Sequence, residues 1–207
     1  MAGVAGTAGA ATTLTERRKA ATRLDIARTA ARLFTEGGLR STRAEDIARA
    51  AGIAPRTFYR YFATKEEAVA PLFAAGAQEW AEAVREAPAG LSVPDALRHA
   101  VRRALTADDP ANAASLEWVR ALLRLTDESP ALRAVWADTC RVSESTLARI
   151  LAERTGAEAG SLELRLTAGK ASTAVRVAVE AWAASDSPAA GPGGPAALAL
   201  ACLDATP

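Results

Sequence analysis

Residues 33–69 read LFTEGGLRSTRAEDIARAAGIAPRTFYRYFATKEEAV, and the breaks within that stretch decide the fold. Gly37-Gly38 ends the preceding helix, because a glycine just past the last turn adopts the left-handed conformation without a Cβ penalty. Thr42-Arg43-Ala44-Glu45 fits a capping box and opens a second helix. That helix runs through Ile47, Ala48 and Ala51 and stops at Gly52. Pro55, with its preset φ, suits the first position of a third helix that carries Thr57 to Phe62.

Working outward, Leu24, Ala27, Ala30, Ala31 and Phe34 recur at helical spacing, with Arg23, Arg28 and Arg32 off that stripe. A helix from residue 15 to the glycine pair follows. Ile47, Ile53, Phe58 and Phe62 can close a small core against Leu24, Ala30 and Phe34, since Phe58 and Phe62, four apart, share a face. Two short helices about a tight turn form a helix-turn-helix, whose second helix lies in the DNA major groove. Arg56, Thr57, Tyr59, Arg60 and Tyr61 then point off the core side. Arginine can fork onto guanine, and a threonine methyl or tyrosine ring edge can meet a thymine methyl. The tyrosine hydroxyls, Thr42 and Lys65 can hold phosphates, which fixes register without reading sequence.

Charge distribution agrees with this assignment. Through Lys65 there are 12 Lys/Arg against 5 Asp/Glu, a net +7; the remaining 142 residues hold 13 against 19, a net −6. A basic head on an acidic body places the attraction for phosphate at one end. Arg17-Arg18-Lys19 can extend that basic surface into an adjacent minor groove, or form an ordinary solvated helix end.

Beyond Lys65 the breakers predict helices over 65–87, 94–107, 111–126, 130–155, 162–184 and 196–204, giving an all-α chain of about nine helices. Residues 1–14, rich in Ala, Gly and Thr, read as a disordered arm; 15–64 form the head and 65–207 the body. The turn-rich run SDSPAAGPGGP at 185–195 reads as a flexible connector. In the eighth helix the small-residue stripe Ala168, Ala171, Val175, Val179 and Trp182 fits a homodimer interface, with Lys170 at its edge. Trp80, Trp118 and Trp136 in an alanine-rich body suggest a cavity with aromatic walls, because alanine cannot fill it. Candidate lining residues are Phe73, Trp80, His99, Trp118, Leu122, Trp136 and Cys140, although for each taken alone core packing is the better explanation.

Other function classes find little support. His99 is the single histidine, Cys140 and Cys202 lack metal or disulfide-framework spacing, and there is no Gly-rich phosphate loop. Neither enzyme, metal site nor cofactor is expected. The acidic pair Asp108-Asp109 sits at a helix break and reads as a cap. The N-terminal basic residues follow the small apolar stretch, the reverse of a secretory signal, and no run is apolar enough to span a bilayer. A cytoplasmic protein is the expectation.

The run at 33–69, above all AGIAPRTFYRYFATKEE at 51–67, resembles the DNA-binding signature of the TetR family of transcriptional regulators. The resemblance implies a homodimer with a three-helix head and a helical body. It further implies a palindromic double-stranded DNA operator and a repressor released by a small-molecule effector enclosed by helices four to seven. By position it gives base contacts to Arg56, Thr57 and Tyr59 and phosphate contacts to Thr42, Tyr61, Lys65 and Arg43. Where the family carries a serine cap and often a lysine, Ala54-Pro55 stands here. The stretch ESPALRAVWADTCRVSESTLARILAERTG at 128–156 is similar to the mycofactocin-regulator subgroup, for which an acyl-CoA-like effector would be expected.

Overall fold

The structure, a computed structural model, describes residues 13–108, 110–158 and 160–205. Among the described residues nine α-helices follow in order: α1 Leu14–Gly37, α2 Ala44–Ala50, α3 Pro55–Tyr61, α4 Ala70–Glu86, α5 Val93–Leu105, α6 Pro110–Arg124, α7 Pro130–Thr155, α8 Leu162–Ala184 and α9 Pro195–Ala205. Short 3-10 turns precede α4, at Glu67–Val69, and follow α6, at Leu125–Asp127. There is no strand among the described residues.

Residues 1–12 of the expected arm lie outside the described residues. Thr13 and Leu14 are not part of an arm: Thr13 caps α1, accepting from the Glu16 amide at 3.2 Å while Glu16 accepts from the Thr13 amide at 2.9 Å. This reciprocal capping box satisfies two of the helix's otherwise unpaired amides.

The second helix is capped differently from the expectation. Arg43, not Thr42, is the N-cap, and Asp46 accepts from its amide at 3.1 Å. Thr42 is only 6% exposed; its hydroxyl lies 2.9 Å from the Gly38 carbonyl and 3.2 Å from that of Leu33. The threonine hydroxyl therefore closes the α1–α2 loop from within. The fourth helix likewise begins at Ala70 instead of 65, after the 3-10 turn.

Two cores hold the helices. One runs without a break from the head into the body, from Ile26, Phe34, Ile47 and Phe58 through Val69 and Phe73 to Leu122, Leu132 and Trp182. The other lies at the far end of the body, where Trp80, Val84, Leu97, Leu147, Ile150 and Leu164 interlock α4, α5, α7 and α8. Since α4 contributes to both and also packs on α1, it is the beam that joins them.

Arginines tie down the ends of the body helices. Arg124 of α6 donates to the Ala183 and Ser185 carbonyls, at 2.8 and 2.7 Å, where α8 leaves those acceptors unpaired. Arg154 of α7 donates to the Ala87 and Pro88 carbonyls, both at 2.7 Å, and fixes the α4–α5 turn. The α8–α9 connector is also held. Trp182 Nε1 donates to the Ser187 carbonyl at 3.2 Å, and Arg120, whose guanidinium lies 3.9 Å above the Trp182 ring, donates to the same oxygen. A Cβ at Gly194 would run into the Ala189 carbonyl. The expectation of a loose connector is thus corrected: its glycines permit close backbone packing instead.

Candidate functional site

The head presents α3 outward. Gly52 takes φ 68°, which an L side chain would make strained, and lets the Ile53 amide reach back to the Ala48 carbonyl at 2.9 Å. Ile53 then packs against the core, while Phe58 and Phe62 bury with ring centroids 5.6 Å apart. With those two phenylalanines inward, Arg56, Tyr59 and Arg60 are exposed and Thr57 and Tyr61 half-buried.

Two of these groups are held by neighbours. Tyr59 donates its hydroxyl to Glu45 Oε1 at 3.2 Å, which ties α3 to α2 and raises the phenol above the ordinary tyrosine range by favouring its protonated form. Arg60 lies 5.4 Å from the Tyr61 ring centroid. Together with Thr15, Arg18, Lys19 and Thr22 of α1 they line one cleft, so the Arg18-Lys19 pair is spatially continuous with the outer face of α3. Arg43 is exposed at the start of α2.

The other two expected phosphate ligands are placed differently. Thr42 is buried and committed to carbonyls, as described. Lys65 donates from Nζ to the Leu39 carbonyl at 2.6 Å and the Thr42 carbonyl at 2.8 Å. The ammonium bridges the α1–α2 loop to the segment that leads into α4. Burial and these carbonyl partners decide what the polar atoms of both residues do.

In the body, a mostly apolar cavity of about 90 Å³ lies between α4, α5, α6, α7 and α8. Phe73, Trp80, Trp136 and Cys140 line it, with Phe73 and Trp136 ring centroids 5.1 Å apart. His99, Trp118 and Leu122, expected on the wall, are not there. Leu122 is fully buried in the main core, Trp118 packs against that core from off the Asn112–Leu116–Val119 stripe of α6, and His99 sits half-buried a turn before the α5 residues that reach the cavity. Sequence reasoning missed Asn112, Ser115, Ser172 and Arg176. Small polar residues scattered among alanines carry no periodic signal that separates a cavity wall from a solvated face.

Trp136 Nε1 donates to Glu180 Oε1 at 2.6 Å, and Arg176 pairs with Glu180 at 2.9 Å. Trp136, Cys140, Ser172 and Arg176 also line a broad polar groove on the α7–α8 surface, so this hydrogen-bonded set stands between groove and cavity. The Cys140 thiol is pushed up to about 12, chiefly by burial and then by the Glu180 charge.

The α8 stripe expected at a dimer interface faces the other way. Ala168, Ala171, Val179 and Trp182 are buried in their own subunit and Val175 lines the cavity. The outward face instead carries Leu162 at 78%, Leu166 at 57% and Val177 at 42% exposure, with the exposed Thr173 between them. Both faces of α8 are apolar, and the bulkier inner residues fill the subunit's own core.

A basic three-helix head with an outward recognition helix, joined by one long helix to a cavity-bearing helical body, defines a class of helix-turn-helix proteins. Residues 26–70 match the pattern of bacterial regulatory proteins of the tetR family, and residues 91–192 that of the MftR C-terminal domain. The chain belongs to the TetR family of transcriptional regulators. It is 33% identical over 147 residues, 70% of its length, to the HTH-type transcriptional regulator TcmR of Streptomyces glaucescens; the match spans 65% of that protein. Among solved structures it is similar to a putative TetR-family regulator from Rhodococcus sp., at TM-score 0.58 and 23% identity, covering 89% of this chain and 97% of that one. It is also similar to Thermus thermophilus FadR, a TetR-family repressor in complex with lauroyl-CoA, at TM-score 0.52 and 24% identity, covering 87% and 90%. No helix among the described residues is long and apolar enough to cross a membrane.

Proposed function

We propose that the protein is a homodimeric repressor that binds a palindromic double-stranded DNA operator through α3 and leaves it when a small molecule enters the body cavity. The observation that carries the reading is the outward face of α3. Arg56, Tyr59 and Arg60 are exposed on a short helix that follows a tight turn, beside the basic face of α1. Arg56, Thr57 and Tyr59 read bases, whereas Arg43, Arg60, Tyr61 and the Arg18-Lys19 end of α1 position the head on phosphates.

Two heads spaced roughly 34–36 Å, one DNA turn, bind far more tightly than one. The exposed Leu162-Leu166-Val177 face of α8, together with α9, supplies the apolar surface for that pairing. Release follows from the position of α4. It lends Phe73 and Trp80 to the cavity wall and packs on α1 of the head, so an occupant that displaces α4 alters the spacing of the two heads.

A mobility-shift titration on the promoter of the protein's own gene and its divergent neighbour tests the reading. Retardation of that fragment and not of a scrambled one is expected at moderate salt. Equal binding to both would overturn it.

A further inference from the structure

We infer that the body cavity takes a small, uncharged aromatic molecule that carries a hydrogen-bond acceptor, and that Trp80 Nε1 and Ser172 Oγ are the groups that select it. The inference rests on the reading of the cavity as the effector site and names the chemistry of its occupant.

Three observations carry it. First, two buried polar atoms, Trp80 Nε1 on α4 and Ser172 Oγ on α8, have no hydrogen-bond partner among the described residues. Both residues line the cavity, and Trp80 is only 4% exposed. Leaving such groups unpaired is costly, so an occupant that pairs with them gains affinity. An indole N–H can only donate, which requires an acceptor on the ligand. The serine hydroxyl can donate to the same molecule or accept from it.

Second, the walls favour a ring. Phe73, Trp80 and Trp136 supply aromatic faces, and Val119, Val175 and Val179 close the remainder. A volume of about 90 Å³ suits a molecule of about one ring better than a long acyl chain.

Third, anionic charge is disfavoured. Arg176, the one cation among the described residues of the wall, is paired with Glu180, which also accepts from Trp136. The second carboxylate, Glu79, is exposed at the edge and repels anions. Carboxylates and phosphates therefore lack a counter-charge here. This separates the site from the acyl-CoA chemistry that the likeness at 128–156 led one to expect.

The test uses the full-length protein with tryptophan side chains labelled in 15N and five probes: acetophenone, ethylbenzene, benzoate, phenyltrimethylammonium and lauroyl-CoA. Acetophenone should bind about tenfold more tightly than ethylbenzene, its near isostere without an acceptor, and should shift the Trp80 indole N–H resonance. Trp80→Phe, which keeps a ring and removes the donor, should abolish that preference while ethylbenzene binding persists. Ser172→Ala should reduce the preference only in part. Equal binding of acetophenone and ethylbenzene to the parent protein overturns the inference, as does tighter binding of benzoate, phenyltrimethylammonium or lauroyl-CoA, or no binding of any probe. Operator binding is measured separately without probes. Its loss would overturn the regulator reading and leave the ligand preference standing.

Discussion

At the scale of single residues, the head contains two kinds of cation that sequence alone cannot separate. Arg56 is exposed and offers its fork outward, whereas Lys65 spends its ammonium on the Leu39 and Thr42 carbonyls. Arg56→Ala should leave the melting temperature unchanged and flatten discrimination among operator variants by about 1–3 kcal/mol, read as competition binding. Lys65→Ala should remove about 1.5–3 kcal/mol of stability, because hydrogen bonds from a charged donor are lost and two carbonyls are stranded. Its DNA affinity should fall for every sequence with the salt dependence unaltered. A reduced salt slope with unchanged melting would instead make Lys65 a phosphate ligand. Cys140 gives a pH dependence of definite sign. Its folded thiol is raised to about 12, above the value of roughly 8.5 in an unfolded chain. Its contribution to stability is therefore intact below about pH 8.5 and is lost as pH climbs towards 12. Iodoacetamide should modify Cys140 far more slowly in native than in urea-unfolded protein at pH 8, by peptide mass mapping; equal rates would refute the burial account.

At the scale of elements, the helix boundaries were largely legible because glycine and proline mark them: Gly37-Gly38, Gly52, Pro110, Pro130 and Gly156 all stand where the helices change. Less legible was which polar group serves each end. Thr42 matches a capping box by spacing, yet a hydroxyl that closes the preceding loop cannot also cap, and Asp46 takes over half of the role through the Arg43 amide. Arg120, Arg124 and Arg154 reach carbonyls 59 to 67 residues away in sequence, a separation over which local pattern is silent. The cap of α3 yields a direct test. Ala54 has the extended backbone of an N-cap, φ −70° and ψ 146°, and no side-chain acceptor. Ala54→Ser should stabilise the protein by about 1 kcal/mol, a rise of roughly 2–4 °C in Tm, while preserving operator affinity. A fall in Tm would show that Pro55 already fixes the first turn in a geometry the hydroxyl cannot use.

At the scale of the whole molecule, α8 shows why the site was only half readable. Its inner stripe, Ala168 to Trp182, and its outer stripe, Leu162 to Val177, are both apolar, so periodicity marks a helix without saying which face is the subunit's own. Volume settles it: Trp182 needs a partner as large as the Arg120 guanidinium and the packed α8–α9 connector, and these lie within one chain. In the proposed homodimer the outer stripe is the face left for a second copy. Leucines exposed at 78% and 57% on one face are costly in water unless covered, and a two-fold axis lets one helix cover its own mate. Leu166→Glu places two carboxylates against each other across that axis, whereas Val142→Glu, on α7, adds one charge to an equally exposed apolar position away from α8. By analytical ultracentrifugation, Leu166→Glu should convert a dimer to monomer with its helical content retained, and Val142→Glu should not. The monomer should then lose at least tenfold in affinity for a palindrome but little for a half-site, since each head keeps α3 intact and forfeits only the tether to the other. Should Leu166→Glu remain dimeric, the subunits meet elsewhere, and the link from α4 movement to head spacing would need a different axis.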